Sequence, residues 1–141
     1  MESNTKNLIT VEAVVNAPVS TVWDAWNLPV HITKWCFASD DWHAPAATND
    51  LREGGSFSTT MAAKDGSFSF DFGGIYNVVR LHELIGYTMG DGRKVEIVFK
   101  SEGGQTSVVE TFEAETQHSL EMQRSGWQAI LDNFAKYAAA L

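Results

Sequence analysis

The sequence predicts an α+β fold in which one face of an antiparallel sheet is covered by a long C-terminal helix. Three patterns carry this prediction: two short helical segments near the start, alternating strands in the middle, and a helical apolar stripe at the end. A sheet with one apolar and one polar face needs such a covering layer. At 141 residues, we expect a single domain over 1–141 that buries a core of its own.

The first elements predicted are a strand and two short helices, preceded by a loose tail at residues 1–7. Residues 8–15 alternate apolar and polar side chains, which is typical of a strand. Pro18 suits the first turn of a helix. Pro29 ends that helix and begins a second short one, which we expect to run through Trp35.

Residues 50–115 are rich in β-forming side chains and are interrupted by glycine-containing turns, which predicts a meander of about five or six strands. We interpret Gly73 and Gly74 as a bulge where a strand bends around the long helix. Alternation places one set of side chains on a shared face. That set is Phe57, Thr59 and Met61, then Phe68, Phe70 and Phe72, then Val95, Ile97 and Phe99.

The closing segment, residues 126–141, has apolar side chains at steps of three and four, which form one broad stripe on a helix. The stripe consists of Trp127, Ile130, Leu131, Phe134, Tyr137, Ala138 and Leu141. Ser119 and Glu121 provide a capped, acidic first turn. Gly126 costs a helix about 1 kcal/mol relative to alanine, so we expect a neighbouring element to approach closely there. The stripe must be buried, either in a solid core or around a hollow.

Composition excludes several classes of function. Ten Lys and Arg against 18 Asp and Glu give a net charge of −8, and the basic residues are scattered. This pattern argues against binding to nucleic acid or anionic membranes. The single Cys36 allows no intramolecular disulfide, and the sequence shows neither a leader nor an apolar run long enough to insert in a membrane, so we expect a cytoplasmic protein. The four histidines lack ligand spacing, and we predict neither a metal site nor a cofactor.

Five segments occur in an order that resembles the START-like, or SRPBCC, superfamily: APVSTVWDAW, ITKWCFA, DLREGGSF, FGGIYNVV and GWQAILDNF. Within it the chain is similar to the activator of heat-shock-protein-90 ATPase homologue family, also labelled polyketide cyclase-like. The resemblance implies a helix-grip fold, in which a curved antiparallel sheet wraps around a long C-terminal helix and two short helices follow the first strand. It also implies an elongated apolar cavity that takes a small hydrophobic, lipid- or polyketide-like molecule.

Nine side chains are candidates for lining this cavity. They are Trp35, Phe57, Met61, Phe70, Phe72, Tyr76, Trp127, Leu131 and Phe134. Any one of these aromatics alone is better explained by packing in a filled core, whereas the resemblance favours a pocket for the set. Tyr76 differs because a buried phenol hydroxyl needs a partner and can orient a ligand.

Other candidates have a simpler structural interpretation. Asp50 and Arg52 could bind a polar ligand head at the cavity rim, but a structural ion pair is favoured. His43, in a loop before the sheet, is the histidine nearest to a ligand entrance, and an exposed loop residue is the favoured interpretation. Cys36 is expected to be a buried, inert thiol. No catalytic residue is identified.

We therefore predict a protein that binds a small hydrophobic molecule, and two alternatives stay open. A cyclase-type enzyme would show a carboxylate or histidine with a shifted pKa in the cavity. A chaperone ATPase-activator-like interaction module would show an exposed patch on the outer surface. The chaperone activators carry a separate N-terminal domain, for which we expect no room in this chain. A homodimer is a further alternative.

Overall fold

A computed structural model of the protein describes residues 7–141, which form seven strands and three helices. The elements in chain order are β1 (Leu8–Val15), α1 (Val19–Asn27), α2 (Pro29–Trp35), β2 (Trp42–Asn49), β3 (Ser56–Ala63), β4 (Ser69–Arg80), β5 (Leu84–Met89), β6 (Lys94–Glu102), β7 (Gln105–Glu113) and α3 (Leu120–Ala139). The strands form one antiparallel sheet in the order β1-β7-β6-β5-β4-β3-β2. The predicted α+β helix-grip fold is confirmed.

The first three elements occur where the sequence predicts them. Strand β1 spans residues 8–15, Pro18 is the N-cap of α1, and α2 begins at Pro29 and ends at Trp35. Of the predicted tail, residues 1–6 lie outside the described residues. The carbonyl oxygen of Asn7 accepts a hydrogen bond of 2.8 Å from the backbone N–H of Ala114, so residue 7 is attached to the sheet.

Strand β2 corrects the prediction of a loop at His43. Trp42 and His43 begin this edge strand, which pairs with β3 and has an irregularity between His43 and Ala46. The segment contains Pro45 and several small residues, which are poor strand formers. Proline is tolerated at a sheet edge, where its missing N–H breaks no ladder.

The bulge predicted at Gly73 and Gly74 is also wrong, because both residues pair in regular register with β3. The bulge lies at Asn77, where β4 has one extra residue opposite β5. The two glycines instead allow the neighbouring strands to approach closely. A Cβ atom at Gly73 would lie 2.2 Å from the Phe57 carbonyl oxygen, and one at Gly74 would lie 2.5 Å from that of Thr88. Their missing side chains therefore allow β4 to bend tightly between its partners.

Helix α3 packs closest to β1, at one edge of the sheet. The Gln128 amide donates to the Glu12 carbonyl oxygen (3.0 Å) and accepts from its N–H (3.4 Å). The Trp127 ring stacks on Phe112 of β7 with ring centroids 3.8 Å apart. The predicted cap is confirmed, because the Ser119 hydroxyl oxygen accepts a 3.0 Å hydrogen bond from the Met122 N–H. Among the described residues, no helix has the length and apolar character needed to cross a lipid bilayer.

An aromatic cluster joins the three helices at one end of the layer. Trp26 of α1, Trp35 of α2 and Phe134 of α3 lie in mutual contact, with ring centroids between 4.8 and 5.0 Å apart. The Trp35 indole N–H donates to the Ala25 carbonyl oxygen at 2.8 Å, and the Asn133 amide donates to the Trp35 carbonyl oxygen at 2.8 Å. These contacts fix the two short helices against α3.

Gly126 does not have the close neighbour that the sequence suggested, since a Cβ atom there would meet no atom within 4 Å. We therefore expect Gly126→Ala to stabilise the protein by about 1 kcal/mol, because alanine loses less backbone entropy in a helix. Equilibrium unfolding in urea measures the change. Gly73→Ala is the matched control and should destabilise the protein, since its new Cβ clashes with β3. A Gly126→Ala variant that is less stable than the parent would contradict the open space at this position.

Candidate functional site

A cavity of about 290 Å³ lies between the sheet and the helices. Its wall includes seven of the nine predicted side chains: Trp35, Phe57, Met61, Phe70, Phe72, Tyr76 and Trp127. Leu131 and Phe134 lie outside the lining and are fully buried in the core. Phe134 belongs to the aromatic cluster that packs against α1 and α2. That the seven side chains bind a ligand stays a prediction.

The apolar wall is held by contacts among its own aromatic rings. Trp127 packs edge-on against Phe72 of β4, with ring centroids 5.9 Å apart, and so links the helix to the far part of the sheet. Phe57 of β3 contacts Tyr87 of β5 at 4.7 Å and Tyr76 of β4 at 5.2 Å. Rings packed in this way have few alternative rotamers, so the cavity is largely preformed.

Tyr76 finds the partner that its burial requires. Its hydroxyl donates a 2.6 Å hydrogen bond to the Asn49 side-chain oxygen, and the Asn49 amide donates to the Asn27 carbonyl oxygen at 2.7 Å. Burial raises the pKa of Tyr76. The phenol is therefore neutral and held in place, with lone-pair capacity left on its oxygen.

Arg93 and Glu115 contribute charged groups to the lining, and both are already engaged. The Arg93 guanidinium donates to Asp91 at 2.8 Å and to the Glu113 carbonyl oxygen at 3.1 Å. The Glu115 carboxylate contacts His118 Nδ1 at 2.6 Å, and this contact lowers the pKa of Glu115. These groups make one part of the wall polar without leaving an unpaired charge.

Among the lining residues that sequence reasoning missed, Glu110 is the most unusual. It lies in β7 between Val108 and Phe112, on the face of the strand that is buried, and its side chain lines the cavity. It is 6% exposed, and burial raises its pKa to about 8 from an ordinary value of 4.5. The alternation of residues 105–113 carries the signal that would have found it, because a carboxylate there replaces an expected apolar side chain.

The Cys36 thiol and the Tyr87 hydroxyl lie close enough to this carboxyl to be affected by its charge. Burial raises the pKa of the Cys36 thiol to about 12, and the nearby Glu110 charge acts in the same direction. The pKa of Tyr87 is also raised, chiefly by burial and next by Glu110. The predicted inert thiol is thus buried in the structure, as one of the side chains that line the cavity.

Three oxygen-bearing side chains of the lining have no hydrogen-bond partner among the described residues: the Glu110 carboxyl, the Tyr87 hydroxyl and the Thr59 hydroxyl. All three residues are buried. In the described part of the chain, the only fully enclosed side-chain oxygen or nitrogen without a partner is the Asn27 oxygen. The Glu110, Tyr87 and Thr59 oxygens therefore reach the surface of the cavity.

The remaining candidates are not part of the cavity lining. Asp50 and Arg52 form an ion pair with 3.0 Å between Oδ2 and Nη2, and both side chains are exposed. His43 lies in β2 and is not part of the lining. Within residues 7–141, no three His, Cys, Asp or Glu side chains are grouped so as to hold a metal ion.

The raised pKa of Glu110 gives a testable dependence of stability on pH. The folded protein keeps this proton to a higher pH than the unfolded chain does. The contribution of the bound proton to the free energy of unfolding is therefore complete below about pH 4.5 and is lost as pH rises through about 8. We expect the free energy of unfolding of Glu110→Gln, relative to that of the parent, to rise by up to about 5 kcal/mol between pH 4 and pH 9. Urea unfolding at several pH values measures this difference.

Glu96→Gln is the matched control, because Glu96 is exposed on the neighbouring strand β6. This variant should retain the Glu110-dependent loss of stability at high pH, because Glu110 is unchanged in it. Parallel profiles for the parent and Glu110→Gln would show that Glu110 titrates normally.

Solved structures share this fold along nearly the whole chain. The AHSA1-like protein from Aeromonas hydrophila is 46% identical, with 95% of this chain and 93% of that protein covered and a TM-score of 0.89. A protein from Cytophaga hutchinsonii is 57% identical over 94% of this chain and 92% of its own, with a TM-score of 0.81. A protein from Nitrosomonas europaea is 19% identical over 92% of each chain, and its TM-score of 0.79 shows the fold alone.

No protein with a curated description matches the sequence significantly. The family model described as Activator of Hsp90 ATPase homolog 1-like protein matches residues 16–139, which include α1, α2, strands β2 to β7 and α3. The match confirms the resemblance that the five sequence segments indicate. The chain belongs to the family of Activator of Hsp90 ATPase homolog 1-like proteins.

Proposed function

We propose that this protein binds a small, mostly apolar molecule in the cavity between the sheet and α3. The observation that carries the proposal is a 290 Å³ space walled mainly by aromatic and aliphatic side chains from both layers. Small-molecule sites typically combine such a concave apolar wall with a few polar groups that fix orientation.

The energetics of an open apolar space support this proposal. An unfilled cavity of this size costs a protein several kcal/mol relative to a close-packed core, because the wall atoms lose contacts across the gap. A ligand that fills the space recovers part of that loss and stabilises the folded state. The aromatic wall then acts as a binding surface rather than as ordinary core.

One observation also supports the alternative of a cyclase-type enzyme. Glu110 is a carboxylic acid inside the cavity, and its pKa of about 8 is suited to proton transfer near neutral pH. An enzyme of this kind would bind its substrate on the same apolar wall and use Glu110 to give or take a proton. Ligand binding in the cavity is common to both functions, so it is tested first.

The test introduces one carboxylate on each face of β4. Phe72 is half-buried and lines the cavity, whereas Ile75 is 55% exposed on the outer face of the same strand. We expect the neutral fluorescent dye N-phenyl-1-naphthylamine to bind the parent at one saturable site. Phe72→Asp should weaken binding by at least about tenfold, because an unpaired carboxylate in the wall opposes an apolar ligand.

The matched variant Ile75→Asp should bind the dye as the parent does, since its new charge faces solvent. Circular dichroism and urea unfolding establish that both variants are folded before the titrations are compared. Equal losses in the two variants, or non-saturable binding to the parent, would mean that the dye adsorbs to the surface and that the cavity is not its site.

A further inference from the structure

We propose, building on the function above, that the ligand carries a carbonyl oxygen and that Glu110 binds this oxygen by donating a hydrogen bond inside the cavity. The site is a hydrogen-bond donor placed within an apolar wall. The expected ligand class is thereby narrowed from any hydrophobic molecule to a hydrophobic ketone-like molecule.

The position of Glu110 in the sheet means that its carboxyl group can meet a polar partner only on the side of the cavity. In the strand pairing, Glu110 lies opposite Val11 of β1 and Ile97 of β6, and both of these side chains are fully buried. Val108 and Phe112 precede and follow it on the same face of β7, and both are 0% exposed. Hydrocarbon therefore flanks the carboxyl group on its own strand and on both neighbouring strands, and the open side is the cavity.

A carboxyl group in such a place is ordinarily paired, because a buried polar group without a hydrogen bond destabilises the fold. Glu110 has no hydrogen-bond partner among residues 7–141, and neither do the hydroxyls of Tyr87 and Thr59, which line the same cavity. The three groups come from three different strands and reach the same cavity surface. A ligand oxygen that accepts from Glu110 would satisfy one of these unpaired donors.

The other titratable groups of the lining leave the proton on Glu110 at neutral pH. Cys36 faces the cavity from the end of α2, Tyr76 from β4 and Tyr87 from β5, and burial raises the pKa of all three. None of these groups is a base that would remove the proton. A neutral carboxylic acid has an O–H to donate, whereas a carboxylate only accepts.

The two charged groups of the lining are occupied elsewhere. Arg93, which precedes β6, is bound to Asp91 and to the Glu113 carbonyl oxygen. Glu115, which follows β7, is bound to His118. An ammonium group would lose its hydration among the apolar side chains of the wall, and neither Arg93 nor Glu115 is a free partner for it. An uncharged oxygen acceptor is thus a better match than an ammonium group.

The experiment compares two probes of the same shape, 2-acetylnaphthalene and 2-isopropenylnaphthalene. They differ only in a carbonyl oxygen that replaces a methylene group, and neither ionises between pH 6 and pH 9. Each dissociation constant is measured by displacement of N-phenyl-1-naphthylamine. The carbonyl preference is then the dissociation constant of the alkene divided by that of the ketone.

Two variants separate donation from shape. Glu110→Met keeps the length of the side chain but has no donor, and we expect the carbonyl preference to fall about tenfold at pH 6, the usual effect of one hydrogen bond. Glu110→Gln keeps an N–H donor that does not titrate, so its preference should persist at pH 6 and pH 9. In the parent the preference should fall about fivefold from pH 6 to pH 9, because a group with a pKa of about 8 keeps its proton in only about a tenth of the molecules at pH 9.

The outcomes distinguish this inference from the proposed function. If both probes bind saturably but the parent and Glu110→Met show the same preference at both pH values, Glu110 does not bind the carbonyl, while the apolar site stands. If the dye binds at one site but neither probe displaces it, the inference fails while the proposed function stands. If the dye itself does not bind the parent saturably, both fail. The pH comparison in the parent needs no variant, so the test holds even if a substitution impairs folding.

Discussion

The bend of the sheet around α3 determines where the cavity and its lining side chains lie. The helix is held close to the β1 edge by Gln128 and by the stacking of Trp127 on Phe112. Strands β3 and β4 curve over toward it, helped by glycines at which neighbouring backbones come too close for a side chain. One helix cannot fill the concave space enclosed by seven strands, so a cavity remains between the two layers. Trp127 of the helix and Phe72 of the sheet are in contact and both form part of its wall. The position of the candidate site is thus a consequence of how the two layers pack.

Within that apolar space, Glu110 is an ionisable side chain at a position whose neighbours are apolar. An alanine or valine at this position of β7 would match its buried neighbours, whereas a carboxylic acid costs stability as soon as it ionises. Conflicts between local packing and a polar side chain are expected at functional sites rather than in plain core. The same group links stability and ligand binding, because both depend on whether it carries its proton.

Much of the fold could be predicted because its signals are local. Pro18, Pro29 and Ser119 act on the backbone next to them, and they place the helix starts correctly. The alternation of β3 and β4 likewise brings the predicted side chains to the cavity. The lining could not be predicted fully, since Leu131 and Phe134 share the helix stripe with Trp127 but lie where other core side chains fill the space. Strand β2 was missed because its pairing with β3, rather than its own composition, makes it a strand.

A neutral carboxylic acid inside the apolar cavity requires a raised pKa of Glu110, which NMR can measure. The ¹³C chemical shift of the side-chain carboxyl carbon can be followed from pH 3 to pH 10, with Glu110→Gln assigning the signal. We expect a midpoint near pH 8. A midpoint near the ordinary value of 4.5 would show that Glu110 is solvated or paired, and would contradict both its apolar surroundings and its role as a hydrogen-bond donor.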